Sequence, residues 1–332
     1  MKAVVIERPG VVSVREIPEP ASSPGHLLIE VGAAGICGTD LHILAGEFAL
    51  ARYPCVPGHE FAGTVVEVGG GVDGFRVGDR VGVDPSIFCG TCGPCRRGRG
   101  NLCQGFTGYG TTFPGAFAER TAVLASQAYR LPDGMPFSEA ALAEPVGCAL
   151  HGMGRLAYRV GDSVLVYGAG TMGLILAQLA RLRGARVVGL VDLNPARRDR
   201  ARTFGFSAVG ASLEDVSPLA PDGFDAVIEA SGTVVAAEAA FTAVGRGGSL
   251  LLFGVYPPGQ NVRLEAAEIF NREMVVLSSL AIFQTYGRAL DVLATGGVDG
   301  ARMVTHTYPL EAITEAMEVV RLGAGLKVQI AP

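Results

Sequence analysis

Four of the seven cysteines in this chain lie in one short stretch, CGTCGPCRRGRGNLC, as Cys89, Cys92, Cys95 and Cys103. Such a cluster suits a disulfide knot, a redox pair or a metal clasp. The amino terminus, MKAVVIERPG, carries charges at Lys2, Glu7 and Arg8 that leave no room for the apolar core of a signal peptide, so a cytoplasmic protein is expected. In a reducing compartment a stable disulfide is disfavoured, whereas CxxCxxCx7C spacing lets four thiolates converge tetrahedrally on one zinc ion. Four protein ligands leave no open position, so this zinc is expected to be structural, holding a lobe with little core of its own. The competing readings are an iron–sulfur cluster, for which nothing else in the sequence suggests electron transfer, and four inert thiols.

A second set of chemically capable residues is spread more widely. Only five histidines are present, and two of them, His42 and His59, stand near Cys37 in GICGTDLH and VPGHEFAG. Both segments hold glycines that permit sharp turns, as ligands gathered from distant loops require. A third set is GAGTMG: Gly168, Ala169, Gly170, Thr171, Met172 and Gly173. It follows the apolar run VLVYG, opens a helical pattern, and precedes a second strand ending at Asp192, which is the setting of a dinucleotide fingerprint. Gly168 allows the tight turn, Gly170 lets the backbone approach a pyrophosphate, and Gly173 lets helix and strand pack closely. The pyrophosphate sits at the helix amino terminus, where amides and dipole favour an anion. Asp192 accepts from the adenosine ribose hydroxyls and repels an added phosphate, favouring NAD over NADP. Arg197 and Arg198, just beyond, are within reach of such a phosphate, although a solvated helix face is the commoner use of such residues.

The elements that must position these residues follow from the patterning. With 332 residues, 49% apolar and 18% charged, the chain is long enough for two domains with substantial cores. A net charge of -5 without basic blocks disfavours a nucleic-acid partner and points to a small molecule. The first 140 or so residues show short alternating segments between Gly, Pro and Asp turns, the mark of a β-rich, barrel-like domain. From about residue 160, continuous apolar strands (VLVYG, VVGLVD, DAVIEAS, SLLLFGV, MVVLSS, with AVG near 208 weaker) alternate with helical segments, giving a doubly wound parallel sheet covered on both faces. The uncharged run 163–180 approaches membrane-span length but is cut by glycines and reads as strand, turn and helix. A helix around GRALDVLATGG and a terminal strand LKVQIA are expected to return to the first domain. The resulting boundaries are 1–147 with 281–332 for the β-rich domain and 148–280 for the nucleotide-binding domain.

The motifs GICGTDLH, PGHEFAG, the cysteine clasp, AEPVGCALHG and VYGAGTMG occur in the order seen in zinc-dependent medium-chain dehydrogenases of the alcohol dehydrogenase superfamily. The chain resembles that family over nearly its whole length. The resemblance implies an α/β protein made of a GroES-like barrel and a Rossmann domain, a catalytic zinc in the cleft between them, and dimers or tetramers. By resemblance Cys37 and His59 are zinc ligands, while Thr39 and His42 match the positions that relay a proton by way of the cofactor ribose. Where simple alcohol dehydrogenases place a ligating cysteine, this chain has Glu144, as the polyol, sugar-alcohol and threonine dehydrogenase branches do. In those branches Glu60, after the histidine, also approaches the metal. Glu144 is the preferred third ligand and Glu60 the alternative or a supporting partner; Glu144 otherwise only favours the start of a helix beginning at Pro145. Cys148 is read as ordinary packing inside that helix, and His151 and His306 as structural. The implied reaction is oxidation of a secondary alcohol, a polyol or sugar alcohol, to a ketone with hydride transfer to NAD. L-Threonine oxidation, a non-catalytic nucleotide-binding protein and a metal-free quinone reductase are the competing readings. Asp84, Glu47 and Arg52 are taken as solvated loop charges.

Overall fold

The computed structural model describes all 332 residues, which fold as two compact units: Met1–Gly147 with Ile282–Pro332, and Cys148–Ala281. In the first unit the strands are β1 (Lys2–Arg8), β2 (Val11–Glu16), β3 (His26–Gly35), β4 (Glu60–Val68), β5 (Arg80–Val83), β6 (Ser86–Ile87), β7 (Thr107–Gly108), β8 (Arg120–Leu124) and β9 (Ala128–Arg130). Its early helices are α1 (Gly38–Ala45), α2 (Gly93–Arg96) and α3 (Phe137–Ala140), and α4 follows at Ala143–Arg155. Alternating strands bury Leu27, Ile29, Phe61, Val65, Val81, Val83 and Val123 in one core. The sequence places the start of α4 at Pro145, but it begins at Ala143. Pro145 sits in the first turn, where its missing N–H costs nothing, so the helix extends on its amino side.

The second unit holds β10 (Ser163–Tyr167), α5 (Thr171–Leu182), β11 (Val187–Val191), α6 (Pro195–Thr203), β12 (Val209–Gly210), β13 (Phe224–Glu229), α7 (Val234–Thr242), β14 (Val244–Leu252), α8 (Ala266–Asn271) and β15 (Val275–Ser278). Its six strands are parallel, in the order β12-β11-β10-β13-β14-β15, which is the doubly wound 3-2-1-4-5-6 arrangement with its switch point between β10 and β13. Every residue of β10 is buried, as a strand with helices on both faces must be. Asn194 caps α6 through its side chain, fixing the turn that follows Asp192.

The chain then returns to the first unit through α9 (Tyr286–Ala294), α10 (Gly300–Met303), β16 (Val304–Tyr308), α11 (Ile313–Arg321) and β17 (Lys327–Ile330). The seven-stranded sheet there has the order β16-β17-β3-β4-β5-β9, with β8 also on β3. The register matters for the chemistry: Gly35 of β3 stands between Gln329 of β17 and Glu60 of β4. No helix is long and apolar enough to cross a membrane.

Candidate functional site

The ligand atoms of Cys37, His59 and Glu60 all lie within 4.8 Å of one another. Three elements bring them there. Cys37 is the N-cap of α1, and its N–H donates to Asp40 Oδ2 at 2.8 Å. The other oxygen of Asp40 accepts from Gly58 N at 3.2 Å, so one buried carboxylate ties the turn carrying Cys37 to the turn carrying His59. Glu60 opens β4 opposite Gly35, where a Cβ would stand only 2.2 Å from Glu60 Oε2; only glycine leaves the carboxylate its space.

Lys327, invisible to the motif reading, completes the cluster. Its ammonium, 4% exposed, donates to both oxygens of Glu60 at 2.8 and 2.6 Å and to Ile36 O at 3.3 Å. Burial opposes its charge, but Glu60, Cys37 and Glu144 hold its pKa above the ordinary lysine value. The structure thus joins Glu60, rather than the expected Glu144, to Cys37 and His59. Glu144 lies in the first turn of α4, outside the set within 4.8 Å, and acts on Lys327 and Tyr286 through its charge. The reason is local: Glu60 follows His59 directly and is drawn inward by the buried lysine.

This donor set fits a divalent cation. His59 Nδ1 is buried without a hydrogen-bond partner, the Asp40 oxygen being 3.7 Å away. Burial lowers the pKa of His59, yet Asp40 and Cys37 outweigh it and raise it well above the ordinary value. An imidazole in that field is a site for a positive charge, and a metal ion would take the place of the proton. Thiolate, imidazole and carboxylate form the three-ligand set of a catalytic zinc with an open position.

The clasp cysteines pass a stricter geometric test. Sγ–Sγ separations are 3.5 Å for Cys89 and Cys103, 3.9 Å for Cys92 and Cys103, and 4.0 Å for Cys89 and Cys95. Four sulfurs about 2.3 Å from a central zinc stand about 3.8 Å apart. All four thiols are free, and α2, which carries Cys95, buries no residue. Hydrogen bonds, led by that from Thr91, pull Cys89 down to about 5, which favours the thiolate.

Thr39 Oγ1 stands 3.8 Å from Cys37 Sγ, beside the cluster. His42, half exposed on α1, meets Glu47 Oε2 through Nδ1 at 2.8 Å. Glu47 thus hydrogen-bonds that imidazole while its own side chain stays mostly in solvent, as expected of a loop charge. Asp84 departs from expectation: it is 7% exposed, and burial pushes its carboxyl up to about 6. It follows β5 against the closely packed Tyr129 and Tyr286 rings, so the strand carries it inside. Arg52 is an exposed loop residue, as expected, and Cys148 is half-buried within α4.

In the second unit the loop 168–173 has the shape of a phosphate cradle. Gly168 has φ of 98° and its N–H donates to Val191 O, while a Cβ at Gly173 would meet Gly168 O at 1.8 Å. No side chain caps α5 at Gly170, and the positive end of its dipole faces the loop. Asp192 accepts from Ala169 N and Asn194 N, each at 2.8 Å, which fixes its carboxylate at the end of β11. Arg198 spends its guanidinium on the carbonyls of Asp192 and Leu193, leaving Arg197 as the cation beside the carboxylate, at 3.8 Å.

The chain matches the alcohol dehydrogenase GroES-like domain over residues 23–133 and the zinc-binding dehydrogenase domain over residues 171–295. It is 37% identical to a D-altritol 5-dehydrogenase of Agrobacterium fabrum, with 93% of each chain covered. It is 35% identical to an L-threonine 3-dehydrogenase of Sinorhizobium fredii, covering 99% of this chain and 97% of that one. A zinc-binding dehydrogenase of Sinorhizobium meliloti solved with NADP shares the fold at a TM-score of 0.95, with 36% identity over 100% of this chain and 99% of the other. The chain belongs to the zinc-dependent medium-chain dehydrogenases of the alcohol dehydrogenase family. It is an alcohol-oxidising enzyme of that class.

Proposed function

We propose that the protein oxidises a secondary alcohol of a polyol or sugar alcohol to the ketone, with NAD as hydride acceptor and zinc as the metal. The observation that carries this reading is the convergence of Cys37, His59 and Glu60 within 4.8 Å. These three would hold the catalytic zinc, with Glu144 as a neighbouring carboxylate, and Cys89, Cys92, Cys95 and Cys103 would hold a structural one. Bound zinc supplies the Lewis acidity that acidifies the substrate hydroxyl, and bound NAD accepts the hydride.

The chain's own residues do the rest. Asp40 holds the backbone of the turns that carry Cys37 and His59, and Lys327 holds the Glu60 carboxylate, before any metal binds. Thr39, beside Cys37, would relay the proton the alcohol loses, taking it at Oγ1 while its own hydroxyl proton moves on toward His42 by way of the cofactor ribose. His42, with Nδ1 fixed by Glu47 and half its surface in water, is suited to pass that proton to solvent. Asp192, Ala169 and the first turn of α5 bind the adenosine and pyrophosphate end, and the Asp192 charge disfavours a ribose phosphate.

A neutral polyol is favoured over L-threonine by charge. An amino acid needs a cation for its carboxylate, and the buried cation beside the ligand cluster is already paired with Glu60. The test is a panel of D-altritol, D-arabinitol, sorbitol, xylitol and L-threonine with NAD and with NADP, read as reduced-nucleotide absorbance. Turnover of at least one polyol with NAD preferred is the expected result. Activity confined to L-threonine, or to NADP, would overturn the corresponding part.

A further inference from the structure

Glu229 ends β13 at the carboxyl edge of the parallel sheet, one strand beyond the switch point, and is fully buried. No cation pairs with it. Its oxygens instead accept from Ser231 N at 2.7 Å, Ser231 Oγ at 2.5 Å, Gly232 N at 3.1 Å and the Tyr256 hydroxyl. Its backbone carbonyl accepts from Phe253 N and Gly254 N, both at 2.9 Å. One residue therefore gathers the loop that follows β13 and the loop that follows β14. The packing leaves no slack: a Cβ on Gly254 would lie 2.3 Å from Gly232 N and 2.6 Å from Glu229 Oε2. The knot abuts the phosphate cradle as well, since a Cβ on Gly168 would stand 3.2 Å from Ser231 N.

An unpaired buried carboxylate is costly, and its hydrogen bonds offset that cost only while the two loops stay where they are. The sheet supplies the direction. In a doubly wound fold the dinucleotide lies across the carboxyl ends of the strands, one mononucleotide on each half. The adenosine end belongs with Asp192 after β11, so the loops after β13 and β14 receive the other half. We propose that Glu229 and Tyr256 are positioning residues for the nicotinamide end of the cofactor: a clamp that sets the two loops against which that half binds, with exposed Val255 at its rim. This rests on the reading of the protein as a dinucleotide-dependent dehydrogenase. Burial and the Glu229 charge raise the Tyr256 pKa, which keeps its hydroxyl a donor.

The test compares Tyr256→Phe and Glu229→Gln with the wild type in direct binding of NADH, by fluorescence, and of ADP-ribose, by calorimetry, with 2′-phospho forms used should the wild type prefer NADP. Tyr256→Phe is the mild variant, removing one hydroxyl and leaving the ring. It is expected to weaken NADH about tenfold, equivalent to about 1.4 kcal/mol, and to leave ADP-ribose unchanged. Glu229→Gln is expected to do more of the same, and KM for the nucleotide should rise with both. Equal NADH affinity in Tyr256→Phe and wild type overturns the proposal, and so does a parallel loss of NADH and ADP-ribose, which would mark a merely structural residue. Failure of the wild type to bind either nucleotide would instead refute the dehydrogenase reading on which the proposal rests.

Discussion

Asp84 gives a prediction whose size follows from the structure. Its carboxyl, buried beside Tyr129 and Tyr286, is pushed from an ordinary 3.8 up to about 6, chiefly by loss of solvent and against the bond it accepts from Ser86 N at 2.9 Å. A carboxyl raised on folding favours the protonated native state, so its contribution is fully present below the unfolded value. It is lost as pH climbs through about 6. Asp84→Asn removes the charge and keeps an oxygen for Ser86. Relative to wild type the variant should gain about 0.6 kcal/mol near pH 4, about 1.6 near pH 5 and about 3 near pH 7, beyond any constant offset from the amide itself. Urea unfolding of both proteins at each pH, with zinc held constant, measures the gap. Taking the difference cancels the pH dependence that the cysteine and histidine ligands impose on both. A gap that stays flat from pH 4 to 7, or that closes as pH rises, would refute the assignment of Asp84 as a buried, strained charge.

Three further outcomes follow from the site. Lys327→Met leaves the Glu60 carboxylate, 1% exposed, without its cation; in chelator the variant should lose about 3 to 5 kcal/mol in urea unfolding, and adding Glu60→Gln should restore most of it. A Lys327→Met protein as stable as wild type would exclude the pair as a support of the ligand cluster. Cys95→Ala and Cys37→Ala should each lose one zinc of two by elemental analysis, the first with a fall in thermal stability, the second with loss of turnover and the fold kept. Asp192→Ala frees Ala169 N and removes the charge that, on the proposed reading, would face the ribose. The ratio of kcat/KM for NADP to that for NAD should rise about tenfold or more, and an unchanged ratio would place the selectivity elsewhere.

What the sequence disclosed depended on how far apart the cooperating residues lie. The clasp was readable because all four thiols sit between residues 89 and 103, and the parallel sheet because strands such as Ser163–Tyr167 are apolar throughout. Spacing alone does not show that Glu60 gathers with Cys37 and His59, because the partner that holds it there is Lys327, 267 positions from Glu60 and brought near only by the pairing of β17 with β3. Asp40 did leave a signal: it stands three residues after Cys37, the place from which a carboxylate caps a helix start. Asp84 was misjudged because a charge near a likely cleft loop is by default solvated, whereas the preceding RVGV strand carries it inward. Glu229 and Tyr256 left none, since their link is made between two loops and no local pattern demands it.

The two cysteine-bearing sites differ in what holds them before a metal arrives, and that difference separates their roles. Around Cys37 the protein already does the positioning. Asp40 fixes the backbone on both sides, Lys327 fixes Glu60, and Leu27, Ile29, Phe61 and Val83 pack the sheet beneath. Metal added there gains chemistry at little structural cost, and its removal should leave the three ligands in place. Around Cys89 the support is slighter: Phe88 packs on Phe283 and Cys103 is buried, but α2 buries no side chain, and the sulfurs themselves make many of the lobe's cross-links. There the binding free energy of the ion must stand in for a missing core, so chelation should loosen residues 89–103 while the Cys37 cluster stays ordered. Amide exchange before and after mild chelation reads this directly: protection should collapse in the clasp and persist at Cys37, Gly58 and His59, and the reverse order would invert the two roles.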